Sequence, residues 1–253
     1  MMLVTQRKQL LLQRLRQDGQ LIAKALSQEL GVSEDTIRRD LRELAEEGRL
    51  QRVHGGALPA SPAVGDFTRR QQLSTQGKAA IGRTAAAMVR SSQVVLLDGG
   101  TTAVQVARHL ALDVHATVVT HSPTIAVELV NHPAVEVVLL GGRLFKHSVV
   151  TVGAAVIEAA SQIRADTFFM GVTGIHPEAG LSTGDLEEAL VKRALSRRAA
   201  ETIVLASAEK LHAASAYVIA PVSEVSGMIV EADTPRDMVA PFEKAGLVVT
   251  RAS

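Results

Sequence analysis

Two groups of residues in this 253-residue chain have types and spacings suited to holding phosphate. One is Thr36-Ile37-Arg38-Arg39-Asp40-Leu41-Arg42, followed at a short distance by Arg52 and His54. A guanidinium pairs with phosphates and meets a guanine edge with two parallel hydrogen bonds, so arginines grouped near a helix N-terminus can address a DNA major groove. The other is Asp98-Gly99-Gly100-Thr101-Thr102. Glycines there expose backbone N–H groups and the threonines offer hydroxyls. A helix opening at that point adds its positive dipole end, which makes an anion cradle. An arginine pair alone is as readily a solvated helix face, and a glycine turn alone is more often plain strand-to-helix geometry. The elements around each group decide.

Around the arginines, apolar spacing predicts helices over 5–17 and 22–30, ended by Asp18-Gly19 and Gly31. A third helix starts at Ser33, a good N-cap, with Glu34 and Asp35 in its positive first turn and Val32 and Ile37 placed as a hydrophobic staple. It runs to Gly48. With Ile37, Leu41 and Leu44 turned inward, Thr36, Arg38, Arg39 and Arg42 fall on the exposed sides. Helix, glycine turn and capped helix make a helix-turn-helix. The run from Gly48 to Ala57 then reads as a strand, a glycine turn and a return strand. Such a wing would carry Arg52 and His54 toward phosphate or the minor groove.

Pro59-Ala-Ser-Pro-Ala-Val-Gly65 is uncharged and aperiodic, marks a boundary, and precedes a helix predicted over 67–90. Gly77-Lys78 is not a P-loop, because Ala79 replaces the needed Ser or Thr and no glycine stands five residues earlier. Beyond it, β-branched runs at 94–97, 117–120, 135–140, 167–170, 202–206, 227–230 and 247–250 alternate with helical stretches. That is the pattern of an α/β fold with a mainly parallel sheet. The expected domains are 1–58, 59–90 and 91–253. Ligands of such sheets lie beyond the carboxyl ends of the strands. There the sequence has Asp98 to Thr102, His121-Ser122, Gly141-Gly142-Arg143, and later Gly171-Val172-Thr173 and Glu209-Lys210.

The net charge of +1 says little by itself, and residues 1–60 hold ten Lys/Arg against eight Asp/Glu. Hydrophobic residues make up 47% and aromatic ones 2%, so the core is built of Leu, Val, Ile and Ala. Without cysteine there is no disulfide, thiolate metal site or cysteine nucleophile. The eight histidines lack ligand spacing, and no Gly-x-Gly-x-x-Gly follows a strand. No metal or cofactor is expected. The absence of a signal peptide or an apolar run of membrane length leads to the expectation of a soluble, cytoplasmic protein.

Thr36-Ile37-Arg38-Arg39-Asp40-Leu41 together with Arg52-Val53-His54-Gly55-Gly56-Ala57 resembles the DNA-binding signature of the DeoR family of bacterial regulators. The later loops follow the same family's order over nearly the whole chain. The resemblance implies a small winged helix-turn-helix domain and a larger α/β sensing domain similar to ribose-phosphate isomerases. It further implies a repressor of sugar metabolism controlled by a phosphorylated sugar, bound to operator DNA as a dimer or tetramer. DNA contacts are then expected from Ser33, Thr36, Arg38, Arg39 and Arg42, with Arg52 and His54 in second place. Asp40 would instead orient a neighbouring arginine. The effector set would be Asp98, Gly99, Gly100, Thr101, Thr102, His121, Ser122, Gly141, Gly142, Glu187 and Lys210. Within it Lys210 would neutralise phosphate, and Asp98 and Glu187 would bind sugar hydroxyls. The sequence departs from the family in Gly99, where Ser is common, in His121, where Asn is usual, and in Ala208. The rival reading is a sugar-phosphate isomerase fused to a DNA-binding domain. Asp98, Glu187, Glu188 and Lys210 would be its candidate catalytic groups, but no paired-carboxylate motif supports it.

Overall fold

The computed structural model describes residues 2–253. Its first sixty residues form α1 (Val4–Asp18), β1 (Leu21–Ile22), α2 (Ala23–Leu30), α3 (Glu34–Glu46), β2 (Gln51–Val53) and β3 (Gly56–Leu58). Left-handed Gly19 and Gly31 end the first two helices, and the Ser33 hydroxyl caps α3 by accepting from the Thr36 N–H. Leu11, Leu15, Leu26, Ile37, Leu41 and Leu44 close into one core beneath the three helices.

The expected second helix beginning at residue 22 starts one residue later. Leu21 and Ile22 instead pair with the wing, opposite Ala57 and Gly56, in a three-stranded sheet of order β1-β3-β2. Gly56 permits this, because a Cβ there would lie 1.7 Å from the Leu21 carbonyl oxygen. Asp40, on the inner side of α3, receives Arg7 of α1 through Nε at 2.5 Å and Nη2 at 3.2 Å. That bidentate pair is buried and staples the first helix to the third.

The connector docks on the larger domain. Ala60 bridges Ala214, the Ala214 N–H donates to the Pro59 carbonyl at 3.2 Å, and the Ser61 hydroxyl donates to the Thr173 carbonyl. The single helix expected over 67–90 is two helices, α4 (Phe67–Gln71) and α5 (Thr75–Ala86). Between them the chain turns through Ser74 at φ +44°. The Lys78 ammonium closes this turn, donating to the carbonyls of Arg70 at 2.7 Å and Leu73 at 2.6 Å. The Arg70 oxygen, in the last turn of α4, lacks an i+4 partner and otherwise accepts from the Leu73 N–H at 3.3 Å.

The seven apolar runs are the seven strands of one sheet. They are β4 (Val94–Leu97), β5 (Thr117–Thr120), β6 (Glu136–Leu139), β9 (Ala165–Gly171), β12 (Ala199–Leu205), β14 (Gly227–Val230) and β15 (Val248–Arg251). Their order is β15-β14-β12-β9-β4-β5-β6, and every adjacent pair is parallel. One face is covered by α5, α6 (Thr101–Arg108) and α7 (Pro123–Leu129). The other is covered by α8 (Ala154–Ser161), α9 (Leu186–Ser196) and α10 (Arg236–Lys244). Five short strands were not legible in sequence: the hairpin of β7 (Arg143–Phe145) with β8 (Val150–Val152), and an antiparallel sheet of β10 (Gly174–His176), β11 (Gly180–Thr183) and β13 (Tyr217–Ala220). At three or four residues each they show no periodicity, and pairing alone makes them strands.

The chain moves outward one way from β4 through β5 to β6, and the other way from β9 through β12 to β14. The switch in direction therefore falls between β4 and β9, and it opens a crevice beyond their carboxyl ends. Replacing Asp40 by Ala should destabilise the N-terminal domain by about 3 kcal/mol, measured by denaturant unfolding. That is the low end for breaking a buried pair, since the pair lies under one layer of side chains in a small domain. An unfolding curve that does not move would mean the pair contributes nothing.

Candidate functional site

On the N-terminal domain, α3 presents Arg38, Arg39 and Arg42 to solvent. Arg38 is held by Glu34 at 2.7 Å, while Arg39 and Arg42 have no carboxylate within 4 Å among the described residues. The Ser33 and Thr36 hydroxyls lie 2.8 Å apart and engage each other in the cap, at the exposed N-terminal end of the same helix. Arg52 and His54 stand exposed on the wing, both just before its tip at Gly55, φ +78°. Their wing also borders a cleft of about 650 Å³ against the β10–β11 hairpin, where His176 and Glu178 lie opposite.

The second site fills the switch-point crevice. Gly99, Gly100, Thr101 and Thr102 after β4 form one wall and Gly171, Val172 and Thr173 after β9 another. Glu188 and Lys192 come from α9, Lys210 from the turn after β12, and Ala63, Arg70 and Lys78 from the connector. Gly100, at φ +104°, leaves the first turn of α6 open to the crevice. The free volume is about 20 Å³, room for about one water. The crevice is narrow rather than sealed.

Asp98 lies beneath the cradle rather than in it. Fully buried, it accepts from the Gly99 N–H at 2.8 Å, His121 Nε2 at 2.8 Å, the Gly171 N–H at 2.7 Å and the Lys192 ammonium. Burial alone would raise its pKa. The Lys192 charge, then the His121 hydrogen bond, outweigh burial and hold the carboxyl well below the usual carboxylate range. His121 is spent in the same network, its other nitrogen facing the Thr151 carbonyl at 2.8 Å. The Ser122 hydroxyl donates to the Val149 carbonyl at 3.2 Å. Both side chains stand behind the wall of the crevice.

Gly141 and Gly142 are exposed in the loop after β6 and do not line the crevice. Glu187 also points away, paired with Arg143 at 2.7 Å, and Glu188 takes the inward place. Asp185 caps α9 by accepting from the Glu188 N–H at 2.9 Å, which sets the helix phase. Glu188 and Lys192, four residues apart, then share the inner face, and the residue before Glu188 turns outward. Glu188 also accepts from Thr183 at 3.0 Å and, more weakly, from Ser148 at 3.4 Å.

Four cations meet here. Lys192 is matched by Asp98 and Glu188, and despite burial these carboxylates raise its pKa. Lys78 lies 3.8 Å from Glu209. Lys210 donates to the Thr102 hydroxyl and the Leu205 carbonyl, both at 3.4 Å, and has no carboxylate within 4 Å among the described residues. Burial pushes its pKa down to about 8. Arg70 also lacks a carboxylate at that distance, and burial lowers its pKa too. The sequence reading missed Arg70 as a site residue. It lies in a segment read there only as helix, without a glycine turn or motif beside it.

Residues 7–62 match the DeoR-like helix-turn-helix domain, and residues 73–232 match the DeoR C terminal sensor domain. The chain belongs to the DeoR family of transcriptional regulators. It is 34% identical to the HTH-type transcriptional regulator GlpR of Haloferax volcanii over 234 residues, 92% of this chain and 91% of that one. It is 33% identical to the HTH-type transcriptional repressor GlcR of Bacillus subtilis over 219 residues, 86% of this chain and 84% of that one. Among solved structures, ribose 5-phosphate isomerase from Methanocaldococcus jannaschii is similar at a TM-score of 0.40 and 16% identity, over 53% of this chain and 52% of that one. A likeness this low says nothing about activity.

If Asp98 organises the crevice, Asp98→Ala strands the buried Lys192 and His121 and should cost about 3–5 kcal/mol of stability in denaturant unfolding. Glu187→Ala, losing only an exposed pair, should stay within about 0.5 kcal/mol. Equal effects from the two would refute this division of roles.

Proposed function

We propose that the protein is a repressor of a carbohydrate-metabolism operon, held on operator DNA by the N-terminal domain and controlled by a phosphorylated sugar bound at the switch-point crevice. One observation carries the effector half: Arg70 and Lys210 are buried beside the Gly-Gly-Thr-Thr cradle without a carboxylate partner. An unmatched buried charge is costly, and a phosphate taken into the crevice removes that cost. The amide at Gly100, the hydroxyls of Thr101 and Thr102, and Lys210 are the phosphate ligands in this reading, while the Gly99 amide is held by Asp98 and shapes the loop. Glu188 and Thr173 face the body of the sugar. His121, Ser122 and Asp98 support the loops from behind, and Gly141, Gly142 and Glu187 enter only if the loops close further over a ligand.

The same geometry speaks against the isomerase alternative. A catalytic carboxylate needs a free oxygen to take a proton from carbon. Asp98 is saturated by four donors, and Glu188 is held by Thr183, Ser148 and Lys192. For the DNA half, Arg39 and Arg42 are the base and phosphate contacts, joined by Ser33, Thr36 and Arg38 and, from the wing, Arg52 and His54. A single small winged module buries too little surface for tight binding, so paired copies on two half-sites are part of the proposal. The protein acts in the cytoplasm, where its DNA is. No helix among the described residues is long and apolar enough to cross a membrane. A coupling of about 1–3 kcal/mol between effector and DNA is enough for a useful switch.

Thermal melting against a panel of sugars and their phosphates is the deciding experiment, with linkage converting binding into a raised Tm. One phosphorylated sugar should stabilise the protein where its unphosphorylated partner does not, and Lys210→Ala should weaken the effect. A folded protein that answers to nothing in the panel would remove the effector assignment. Affinity should also fall as pH rises through about 8, where the ligand-free Lys210 loses the charge that the phosphate needs. Below about 6 the phosphate gives up its own second charge, so binding should be strongest between those limits. Separately, Arg42→Ala should weaken binding to duplex DNA by about 1–3 kcal/mol in fluorescence anisotropy; unchanged DNA affinity would count against α3 as the reading helix.

A further inference from the structure

We propose that Arg70, carried by the connector helix α4, is itself a ligand for the effector's anionic group, so that the segment joining the two domains forms a wall of the crevice and reads its occupant directly. The inference rests on the crevice being an anion site, and it adds the residue and the route by which occupancy reaches the DNA-binding domain.

The other three cations of the crevice have a hydrogen-bond partner for their buried nitrogen, although Lys210 has no carboxylate partner among the described residues. Lys192 sits between Asp98 and Glu188, Lys78 closes the α4–α5 turn beside Glu209, and Lys210 rests against the Thr102 hydroxyl. Arg70 does not. It is 9% exposed, and only its Nη2 is engaged, with the Ser148 hydroxyl at 3.2 Å and the His147 carbonyl at 3.4 Å. Its Nε is buried with no acceptor among the described residues. Its Nη1 lies toward the cradle, where a Cβ built on Gly100 would meet it at 3.9 Å. Buried donors are normally paired, and an unpaired guanidinium nitrogen at the mouth of a cradle of backbone amides marks the place of a missing acceptor. An oxyanion with several oxygens can accept from Arg70 and from the loop amides together.

The crevice has free space for about one water, so an occupant seated fully between its walls must displace one of them. The walls after β4 and β9 are tied through Asp98, which accepts from the Gly99 and Gly171 amides and from α9. The connector wall is a helix of five residues and a few loop bonds. Its start is fixed by Asp66, which caps Arg69, and by the Phe67 N–H on the His147 carbonyl. Immediately before it, residues 59–61 lie along Ala214 and Thr173, and before those comes the wing strand β3. Ala63, in this same stretch, also lines the crevice. The connector is therefore the wall that yields, and its displacement pulls on the attachment of the wing.

The test uses the full-length protein with inorganic phosphate as the probe. Phosphate affinity is measured by titration calorimetry, and hydrogen exchange is followed in peptides covering 59–78. Wild type should bind phosphate and show a changed exchange rate in those peptides. Arg70→Gln should lose about tenfold or more in phosphate affinity, as expected for deleting a charge-assisted contact, and its exchange change in 59–78 should disappear. Arg70→Lys, which keeps the charge without the planar fork, should recover part of the affinity and serves if the glutamine variant does not fold. Wild-type affinity and an unaltered exchange response in Arg70→Gln, or in Arg70→Lys should that be the variant that folds, together with clear phosphate binding by the wild type, would overturn the role of Arg70 alone. No phosphate binding by the wild type would overturn the anion site itself, and this inference with it.

Discussion

Asp98 has no contact with solvent, yet it remains a carboxylate because four donors converge on its two oxygens. Each donor comes from a different part of the chain: the loop after β4, the loop after β5, the end of β9 and the inner face of α9. Removing any one leaves a buried charge short of compensation, so the four must be present together. The crevice inherits its shape from this arrangement. The Gly99 and Gly171 amides that hold Asp98 belong to the loop after β4 and to the end of β9, where its opposing walls begin. Lys192, matched by Asp98 from below and Glu188 from beside, is a positive floor that stays charged.

Above that floor the charges are less complete. Lys210 and Arg70 are buried without carboxylates, and burial lowers the pKa of both. Such a deficit is costly, and in the proposed reading an anion taken into the crevice offsets it. Arg70 ties that deficit to the connector, which is also the shortest path to the wing. Under that proposal, charge balance in the sensing domain and placement of the DNA-binding domain become one problem.

The N-terminal domain is built on a smaller version of the same principle. Asp40 sits among the arginines of α3 but turns inward, and its partner is Arg7, thirty-three residues earlier on α1. The pair sets the helix rotation that leaves Arg39 and Arg42 free outside. Gly56 lets β1 join the wing, so the wing is braced against the body of the domain rather than hanging from two strands.

The sequence by itself determined the periodic features. The capped third helix, the winged architecture, the seven strands of the parallel sheet and the glycine-threonine cradle all follow from spacing and local chemistry over a few residues. The order of the sheet, and with it the crevice between β4 and β9, needed the paired strands. So did the distinction between Glu187 and Glu188, because helix phase depends on the Asp185 cap and on which face packs. His121 and Asp98 have the right types for a ligand site, yet tertiary contacts turn them toward one another. Arg70 shows no signal along the chain, since nothing near it in sequence resembles a site. Only the docking of the connector buries its guanidinium against His147 and Ser148, far along the chain, and a buried, unmatched charge is a property of the folded molecule alone.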